Sequence, residues 1–175
     1  LAIEQAVTQH ANAIEIDVFA VENQLIVIHD HHLQRTTNGI GSIYDYTLAE
    51  LRRLDAGLGQ QIPLLQEVLD TLPSDIWLNI ELKGENTAEP LLQLLNKREA
   101  LGYNLNNLLI SSFNHHLLAW LKKHKPQLRL GALIYGLPLD YATVAEQLQA
   151  YSLNCDAGFI NQTLVDDAHA RGLKV

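Results

Sequence analysis

The chain is poor in cysteine, in positive charge and in long apolar runs. Its 175 residues include a single cysteine, Cys155, which excludes a disulfide framework and a thiolate metal cluster. Lys and Arg number 12 against 20 Asp and Glu, giving a net charge of −8, so no nucleic-acid partner is expected. No apolar run approaches the roughly 18 residues that a bilayer requires. We therefore expect no membrane span.

The composition that is present describes a globular protein, with 47% apolar and 18% charged residues. The length fits one domain with a sizeable core. The sequence starts with "LAIEQAV", without Met and inside a helical pattern, and stops at "RGLKV", where a strand opens. We therefore expect further chain beyond both ends. A cytoplasmic location is expected, with a periplasmic or secreted one left open, as is the oligomeric state.

Strand-like and helix-like stretches alternate along the sequence. Strands are predicted at 13–19, 25–29, 76–82, 107–112, 128–134 and 157–160, with another beginning at 173. Helices are predicted at 1–10, 63–71, 87–99, 114–124, 140–150 and 163–171. Strands that alternate with helices of this length indicate βαβ units and a parallel sheet.

Two parallel folds fit this alternation, a doubly wound sheet and a (β/α)8 TIM barrel. No G-x-G-x-x-G motif or P-loop follows any predicted strand. Polar residues cluster instead at the C-terminal ends of several strands, where barrel enzymes build their sites. We therefore predict an α/β fold, a (β/α)8 barrel incomplete at both ends. Residues 1–175 form a single catalytic barrel domain, with an antiparallel hairpin and an insertion at 31–61 after the second strand.

Charged side chains interrupt two of the predicted strands near their C-terminal ends. In "AIEIDVF", Glu15 and Asp17 share one face, because side chains alternate along a strand. In "WLNIELKG", the same alternation puts Asn79, Glu81 and Lys83 on one face. In a barrel the apolar faces pack on the helices, so three carboxylates and one ammonium group point toward the same opening.

Carboxylates so close together need a partner, since like charges raise one another's pKa values and burying an unpaired charge is costly. One divalent cation, Mg²⁺ or Ca²⁺, meets this need because both ions prefer oxygen ligands. A buried ion pair of Lys83 with Glu81 or Asp17 is the alternative without a metal. The acids alone leave both interpretations open.

His29 ends the second strand, in "LIVIHD". Only five residues, 20–24, separate the two strands, too few for a parallel crossover, so an antiparallel hairpin is predicted. A three-residue loop at 22–24 places His29 across the ladder from Asp17 on the same face, where it can serve as a general acid or base. A two-residue loop shifts the register by one and turns His29 away. The predicted site depends on the first register.

A zinc site at "HDHH", formed by His29, His31 and His32, is the competing use of this histidine. Such a site normally includes further His or Cys ligands at suitable spacing. The other five histidines fall in helical patterns or at their edges, where surface or capping roles are expected. We therefore rank zinc below the carboxylate site.

Seven stretches, in order and over nearly the whole chain, form a specific pattern. They are "IEIDV", "LIVIHDHHLQRTTNGIG", "TLAELRRLDAG", "IPLLQEVL", "NIELKG", "LLISSFN" and "INQTLVDDAHARGLKV". With them the sequence resembles the glycerophosphodiester phosphodiesterase family. The resemblance implies a barrel that hydrolyses glycerophosphodiesters to sn-glycerol 3-phosphate and an alcohol with a divalent metal.

The resemblance also implies roles for individual residues. Glu15, Asp17 and Glu81 become the metal ligands, His29 becomes one of two catalytic histidines, and Lys83 becomes a phosphate or substrate contact. The family's opening His-Arg-Gly, with the other catalytic histidine, and its Pro-Glu-Asn-Thr segment are expected upstream of this sequence. Its Trp-Thr-Val-Asn strand is expected downstream.

Two further residues lie within the matching stretches. Phe113, in "SSFN", corresponds to a position that lines the pocket in relatives, and we assign it to substrate binding. Arg35 follows "HDHHLQ" and is expected to brace its loop against either Asp30 or Asp55. The sequence does not distinguish these two acids.

Two other functions fit the same residues. A phospholipase-D-type barrel acting on choline phospholipids or sphingomyelin shares the acids and the histidine, but its expected disulfides conflict with the lone cysteine. A phosphate-ligand-binding or inactive paralogue would lack the upstream histidine. We expect a small-molecule glycerophosphodiester as the partner, and nothing in the sequence indicates its alcohol group.

Overall fold

The computed structural model describes residues 1–175. The strands are β1 (Ala13–Val21), β2 (Gln24–Val27), β3 (Trp77–Leu82), β4 (Leu108–Ser112), β5 (Arg129–Ile134) and β6 (Ser152–Cys155). The helices are α1 (Ala2–Thr8), α2 (Leu48–Leu51), α3 (Leu65–Thr71), α4 (Ala88–Ala100), α5 (His115–His124), α6 (Thr143–Gln147) and α7 (Gln162–Ala170). None of these helices combines the length and the apolar composition that crossing a bilayer requires.

All six strands belong to one sheet, in the order β2-β1-β3-β4-β5-β6. The strands β1, β3, β4, β5 and β6 are parallel neighbours in chain order, and β2 pairs antiparallel with β1. The order never reverses, as it would in a doubly wound sheet. A parallel bridge from Ser152 to Lys174 begins the next strand. The sheet is therefore part of an eight-stranded barrel, as predicted.

The helices pack on the outward face of this sheet. In β1 and β3 that face consists of buried apolar side chains, including Ile16, Val18, Leu78 and Ile80. The helices α4 and α5 contribute leucines to the same cluster, which contains 26 buried residues in all. Burying one such side chain contributes about 1.5–3 kcal/mol. The outward face thus holds the strands together and leaves the inward face free for polar groups.

The hairpin between β1 and β2 turns on two residues, Glu22 and Asn23. Both have positive φ angles, 49° and 60° respectively, a conformation whose twist matches that of the flanking strands. Val21 consequently pairs with Gln24. The predicted three-residue loop at 22–24 is wrong. Neither turn residue is glycine, so the sequence carried little signal for this turn.

The segment between β2 and α3 forms a second, smaller apolar cluster with the hairpin. Two 3-10 turns, Leu33–Arg35 and Ile43–Asp45, and the short helix α2 supply its buried side chains. The members of this cluster are Phe19, Val21, Ile26, Ile28, Leu33, Ile43, Leu51 and Ile62. The predicted insertion thus exists and is anchored on the extension of β1 beyond the barrel wall.

The last parallel strand, β6, lies five residues before its predicted position at 157–160. The apolar "GFI" suggested a strand there, but Phe159 and Ile160 are exposed beyond the end of β6. The sequence does not reveal β6 as a strand because its inward-facing side chains, Ser152 and Asn154, are polar. Ser152 Oγ donates a hydrogen bond to Asn154 Oδ1 at 2.7 Å. An apolar-run criterion therefore finds the wrong segment.

Candidate active site

Strand pairing brings the predicted acids together. In the parallel ladder of β1 and β3, Asp17 lies beside Glu81 and Glu15 lies beside Asn79. One carboxylate oxygen from each of the three acids lies within 4.8 Å of the others. These residues sit near the C-terminal ends of their strands, where barrels of this kind place their active sites.

The environment of Glu15 and Glu81 makes their ionisation unfavourable. Glu15 is exposed over part of its length, but desolvation of its carboxylate is the largest cause of its raised pKa, followed by repulsion from Asp17 and Glu81. Desolvation likewise raises the pKa of Glu81, and Asp17 adds to the shift, while Lys83 opposes it. A neighbouring positive charge would stabilise the ionised carboxylates and lower these pKa values.

Lys83 already supplies one positive charge. Its Nζ lies 3.1 Å from Asp17 Oδ1 and 3.4 Å from Glu81 Oε1. Desolvation alone would lower the pKa of Lys83, but the hydrogen bonds and charges of Asp17 and Glu81 outweigh it, so the pKa is raised. The ion pair considered from the sequence is therefore formed. Lys83 balances only one of the two negative charges of Asp17 and Glu81. The other of these charges, and that of Glu15, remain unbalanced when all three acids are ionised.

The donor set fits a divalent cation. Three carboxylates and one ammonium group sum to a charge of −2 when all are ionised. Two oxygens in the strand wall next to the acids, Asn79 Oδ1 and Ser111 Oγ, are buried without a hydrogen-bond partner. Such an atom costs about 1–3 kcal/mol unless a ligand or water satisfies it. Hard oxygen donors of this kind suit Mg²⁺ or Ca²⁺.

Ser111 was not recognised from the sequence. It pairs with Glu81 across β3 and β4 and is fully buried. The available signal was the interruption of the apolar run "LLISSF" by two serines. On the same inward face, two residues further on, Phe113 is exposed at the end of β4. The structure therefore places Phe113 at the same end of the sheet as the acids.

His29 does not occupy the predicted position opposite Asp17. Because the hairpin has a two-residue turn, Asp17 O accepts a hydrogen bond from Ile28 N at 3.1 Å, and His29 is not opposite Asp17. The ladder ends at Val27, and the chain bends at His29. After this bend, the charge of His29 acts on both Glu15 and Glu81 and lowers their pKa values. This contribution of His29 is the smallest on either acid, and the imidazole does not join their group of converging ligand atoms.

The segment after His29 settles which acid Arg35 contacts. Arg35 Nε donates to Asp30 Oδ2, and Asp30 Oδ1 lies 2.5 Å from His29 Nδ1. The hydrogen bond from Arg35, followed by that from His29, holds the pKa of Asp30 well below its usual range. Asp55 instead accepts hydrogen bonds from the backbone of Gly57 and Gly59.

The competing zinc site is not formed. The rings of His31 and His32 pack against each other with centroids 4.1 Å apart. Neither they nor His29 join a group of three side chains with converging ligand atoms; the only such group is the acidic one. The three histidines of this cluster therefore do not converge on a common metal site.

The fold and the acidic group agree with one family. The family model for glycerophosphoryl diester phosphodiesterases matches residues 1–175. The chain belongs to this family. It is therefore an enzyme of the phosphoric diester hydrolase class, as the sequence predicted. A glycerophosphodiester phosphodiesterase of Caldanaerobacter subterraneus subsp. tengcongensis is 34% identical over 184 aligned positions, covering 99% of this chain and 76% of that protein.

Solved phosphodiesterase structures confirm the barrel fold. A phosphodiesterase of Oleispira antarctica, in complex with the product sn-glycerol 3-phosphate, gives a TM-score of 0.88 at 30% identity. The match covers 99% of this chain and 75% of that one. A glycerophosphodiester phosphodiesterase of Thermotoga maritima gives 0.76 at 28% identity, covering 98% and 73%.

Proposed function

We propose that the chain hydrolyses glycerophosphodiesters to sn-glycerol 3-phosphate and an alcohol, using one divalent cation, Mg²⁺ or Ca²⁺. The proposal rests on the convergence of Glu15, Asp17 and Glu81 beside Lys83 at one end of a parallel barrel wall. The product bound to the Oleispira antarctica phosphodiesterase supports this substrate class.

The three carboxylates would hold the cation from the inward face of β1 and β3. A cation there supplies positive charge against the phosphate group, which stabilises the charge that develops as the diester is cleaved. Lys83, held between Asp17 and Glu81, would donate to a phosphate oxygen from the same side. Phe113 would line the substrate pocket at the end of β4.

His29 would transfer protons on the solvent side of this group. It would take a proton from the attacking oxygen, either water or the glycerol 2-hydroxyl, or give one to the leaving alcohol. Attack by the 2-hydroxyl would form a cyclic phosphodiester, which water must then open to give sn-glycerol 3-phosphate. The family resemblance implies a second catalytic histidine in a His-Arg-Gly segment, which residues 1–175 do not contain. The two groups would share the two proton transfers.

A product assay tests the function. The full-length protein is incubated with a panel of glycerophosphodiesters, with Mg²⁺, with Ca²⁺ and with EDTA, and sn-glycerol 3-phosphate and free alcohol are quantified. Metal-dependent release of both products in equal amounts is expected. Release of a phosphorylated alcohol in place of glycerol 3-phosphate would contradict the proposed bond cleavage, and turnover unchanged by EDTA would contradict the metal.

The same assay separates the alternatives. Cleavage of sphingomyelin or choline phospholipids in preference to glycerophosphodiesters would favour the phospholipase-D-type function. Metal-dependent binding of sn-glycerol 3-phosphate without turnover of any diester would favour a binding paralogue.

We further infer that residues 1–175 act within one catalytic domain. The support is the packing of the insertion: its buried residues Leu33, Ile43, Leu51 and Ile62 share the smaller apolar cluster with residues of the β1–β2 hairpin, whose strands belong to the barrel sheet. Limited proteolysis tests this, because one domain should give no stable fragment cut within residues 31–61.

A further inference from the structure

His29 is tied to two charged residues of its own segment. Its Nδ1 lies 2.5 Å from Asp30 Oδ1, while the second oxygen of Asp30 accepts a hydrogen bond from Arg35 Nε. The other ring nitrogen, Nε2, makes no hydrogen bond with the protein. One oxygen of the Asp30 carboxylate is thus directed at the imidazole and the other at the guanidinium group.

This arrangement determines which nitrogen carries the proton. Arg35 and His29 keep Asp30 ionised, since their hydrogen bonds lower its pKa. An ionised carboxylate only accepts hydrogen bonds, so the nitrogen 2.5 Å away must be the donor. The Arg35 Nη2 atom, 3.2 Å from the same Nδ1, therefore does not donate to it. In the neutral ring, Nε2 then holds the free electron pair.

The backbone between Asp30 and Arg35 is fixed by its own contacts. Leu33, which starts the 3-10 turn bearing Arg35, is fully buried, and its N–H donates to Gly41 O at 3.0 Å. Gly41 has a φ of +97°, which an L side chain rarely adopts. A Cβ at Gly39 would lie 2.8 Å from Leu54 Cδ1. The run "LQRTTNGIG" is therefore shaped to hold Arg35 in place.

We propose that Asp30, itself oriented by Arg35, is a positioning residue that fixes the His29 ring with its proton on Nδ1 and presents Nε2 for proton transfer. The proposal deepens the proposed function and rests on the role given there to His29. In this proposal Asp30 and Arg35 contribute to proton transfer only through His29. They act through the imidazole, whose tautomer is set by the hydrogen bond at its other nitrogen.

A surface ion pair that only supports the loop is the competing explanation. Arg35 is largely exposed, and ion pairs between exposed side chains contribute little to stability. Removing Asp30 or Arg35 should therefore hardly change the melting temperature. A large effect on turnover together with an unchanged melting temperature distinguishes positioning from structural support.

The direct test reads the tautomer. Long-range ¹H–¹⁵N NMR spectra of the full-length protein, recorded where the imidazole is neutral, should show His29 with its proton on Nδ1. In Asp30→Ala the proton should redistribute toward Nε2, and in Arg35→Gln a smaller shift in the same direction is expected. Arg53→Gln, an exposed arginine after α2, serves as the matched control and should leave the His29 signals unchanged. An unchanged tautomer in Asp30→Ala would overturn the proposal.

Kinetics separate this proposal from the proposed function. In Asp30→Ala, kcat should fall by about 10-fold to 10²-fold, less than in His29→Ala, with KM nearly constant. If His29→Ala is inactive but Asp30→Ala keeps both its kcat and the Nδ1 proton, positioning is refuted and the role of His29 survives. If His29→Ala itself is fully active, the assigned role of His29 fails, and the positioning proposal fails with it.

Discussion

The two parts of the candidate site are held in different ways. The side chains of Asp17 and Glu81 are only 11% and 15% exposed, and the β1–β3 ladder fixes their separation. The side chain of His29 is 60% exposed and lies on a bend beyond the end of β2. The acids are placed by the fold, whereas the histidine is placed by a local segment.

This difference suggests a division of work. Desolvated carboxylates on a rigid wall keep a fixed geometry, which suits the binding of a cation. A histidine near water exchanges protons readily, and its orientation needs only local hydrogen bonds. Substitutions in the wall should therefore change metal affinity, and substitutions in the His29 segment should change turnover with metal affinity preserved.

The largest effect is expected from Glu81→Gln, which removes one negative charge from the wall while keeping the shape of the side chain. Loss of an electrostatic contribution of this kind should lower kcat by about 10³-fold. Calorimetric titration with Mg²⁺ and Ca²⁺ should show weakened binding as well. Glu89→Gln, on the exposed side of α4, is the control. Tight metal binding in Glu81→Gln would remove Glu81 from the ligand set.

The second effect concerns the small apolar cluster that supports the His29 segment. Leu33→Ala leaves a cavity at a fully buried site and should lower the free energy of unfolding by about 2–5 kcal/mol. Urea denaturation measures this change, with Leu58→Ala, at an 87% exposed position, as the comparison. Equal stability of the two variants would mean that this segment is not anchored by Leu33.

The third effect tests the histidine directly. His29→Ala removes a general acid or base and should reduce kcat by about 10²-fold or more. Metal affinity, measured by the same titration as for Glu81→Gln, should change little. Near-normal turnover in His29→Ala would end its assignment, and a large loss of metal affinity would show that the two parts of the site are not separable.

The same contrast explains what the sequence could predict. The acids were found because side chains alternate strictly along a strand. Once the strands were assigned correctly, the shared face of Glu15, Asp17 and Glu81 followed. The position of His29 depended on turn length, and Glu22 and Asn23 adopt positive φ angles without a glycine to announce them. The predicted position of His29 opposite Asp17 was therefore wrong.

The polar contacts within local segments also could not be predicted from the sequence. Arg35 had two candidate partners, and the choice of Asp30 depends on the loop conformation that Gly39 and Gly41 permit. The strand β6 was misplaced because Ser152 and Asn154 face the barrel interior, where an apolar pattern is not required. A strand with polar inward-facing side chains is therefore hard to recognise from an apolar pattern. A side-chain contact within a loop is hard to predict because it depends on the loop conformation.

The smallest expected effect is the pH dependence of stability that Glu15 and Glu81 cause. The folded-state pKa values of Glu15 and Glu81 are raised above the ordinary value of 4.5. Between that value and the raised ones, the folded protein binds more protons than the unfolded chain, so its stability falls as the pH rises. The lowered pKa of Asp30 acts below its ordinary value of 3.8, outside this window.

In EDTA, the contribution of Glu15 and Glu81 should therefore make the melting temperature of the protein decline as the pH rises from about 4 toward neutrality. The melting temperature of Glu15→Gln should decline less than that of the unsubstituted protein, because the substitution removes a carboxylate whose desolvation, followed by repulsion from Asp17 and Glu81, raises its pKa. A saturating divalent cation should raise the melting temperature of the unsubstituted protein most at neutral pH, where all the carboxylates are ionised. If Glu15→Gln follows the same pH curve as the unsubstituted protein, the carboxylates do not repel one another, and the need for a cation loses its electrostatic basis.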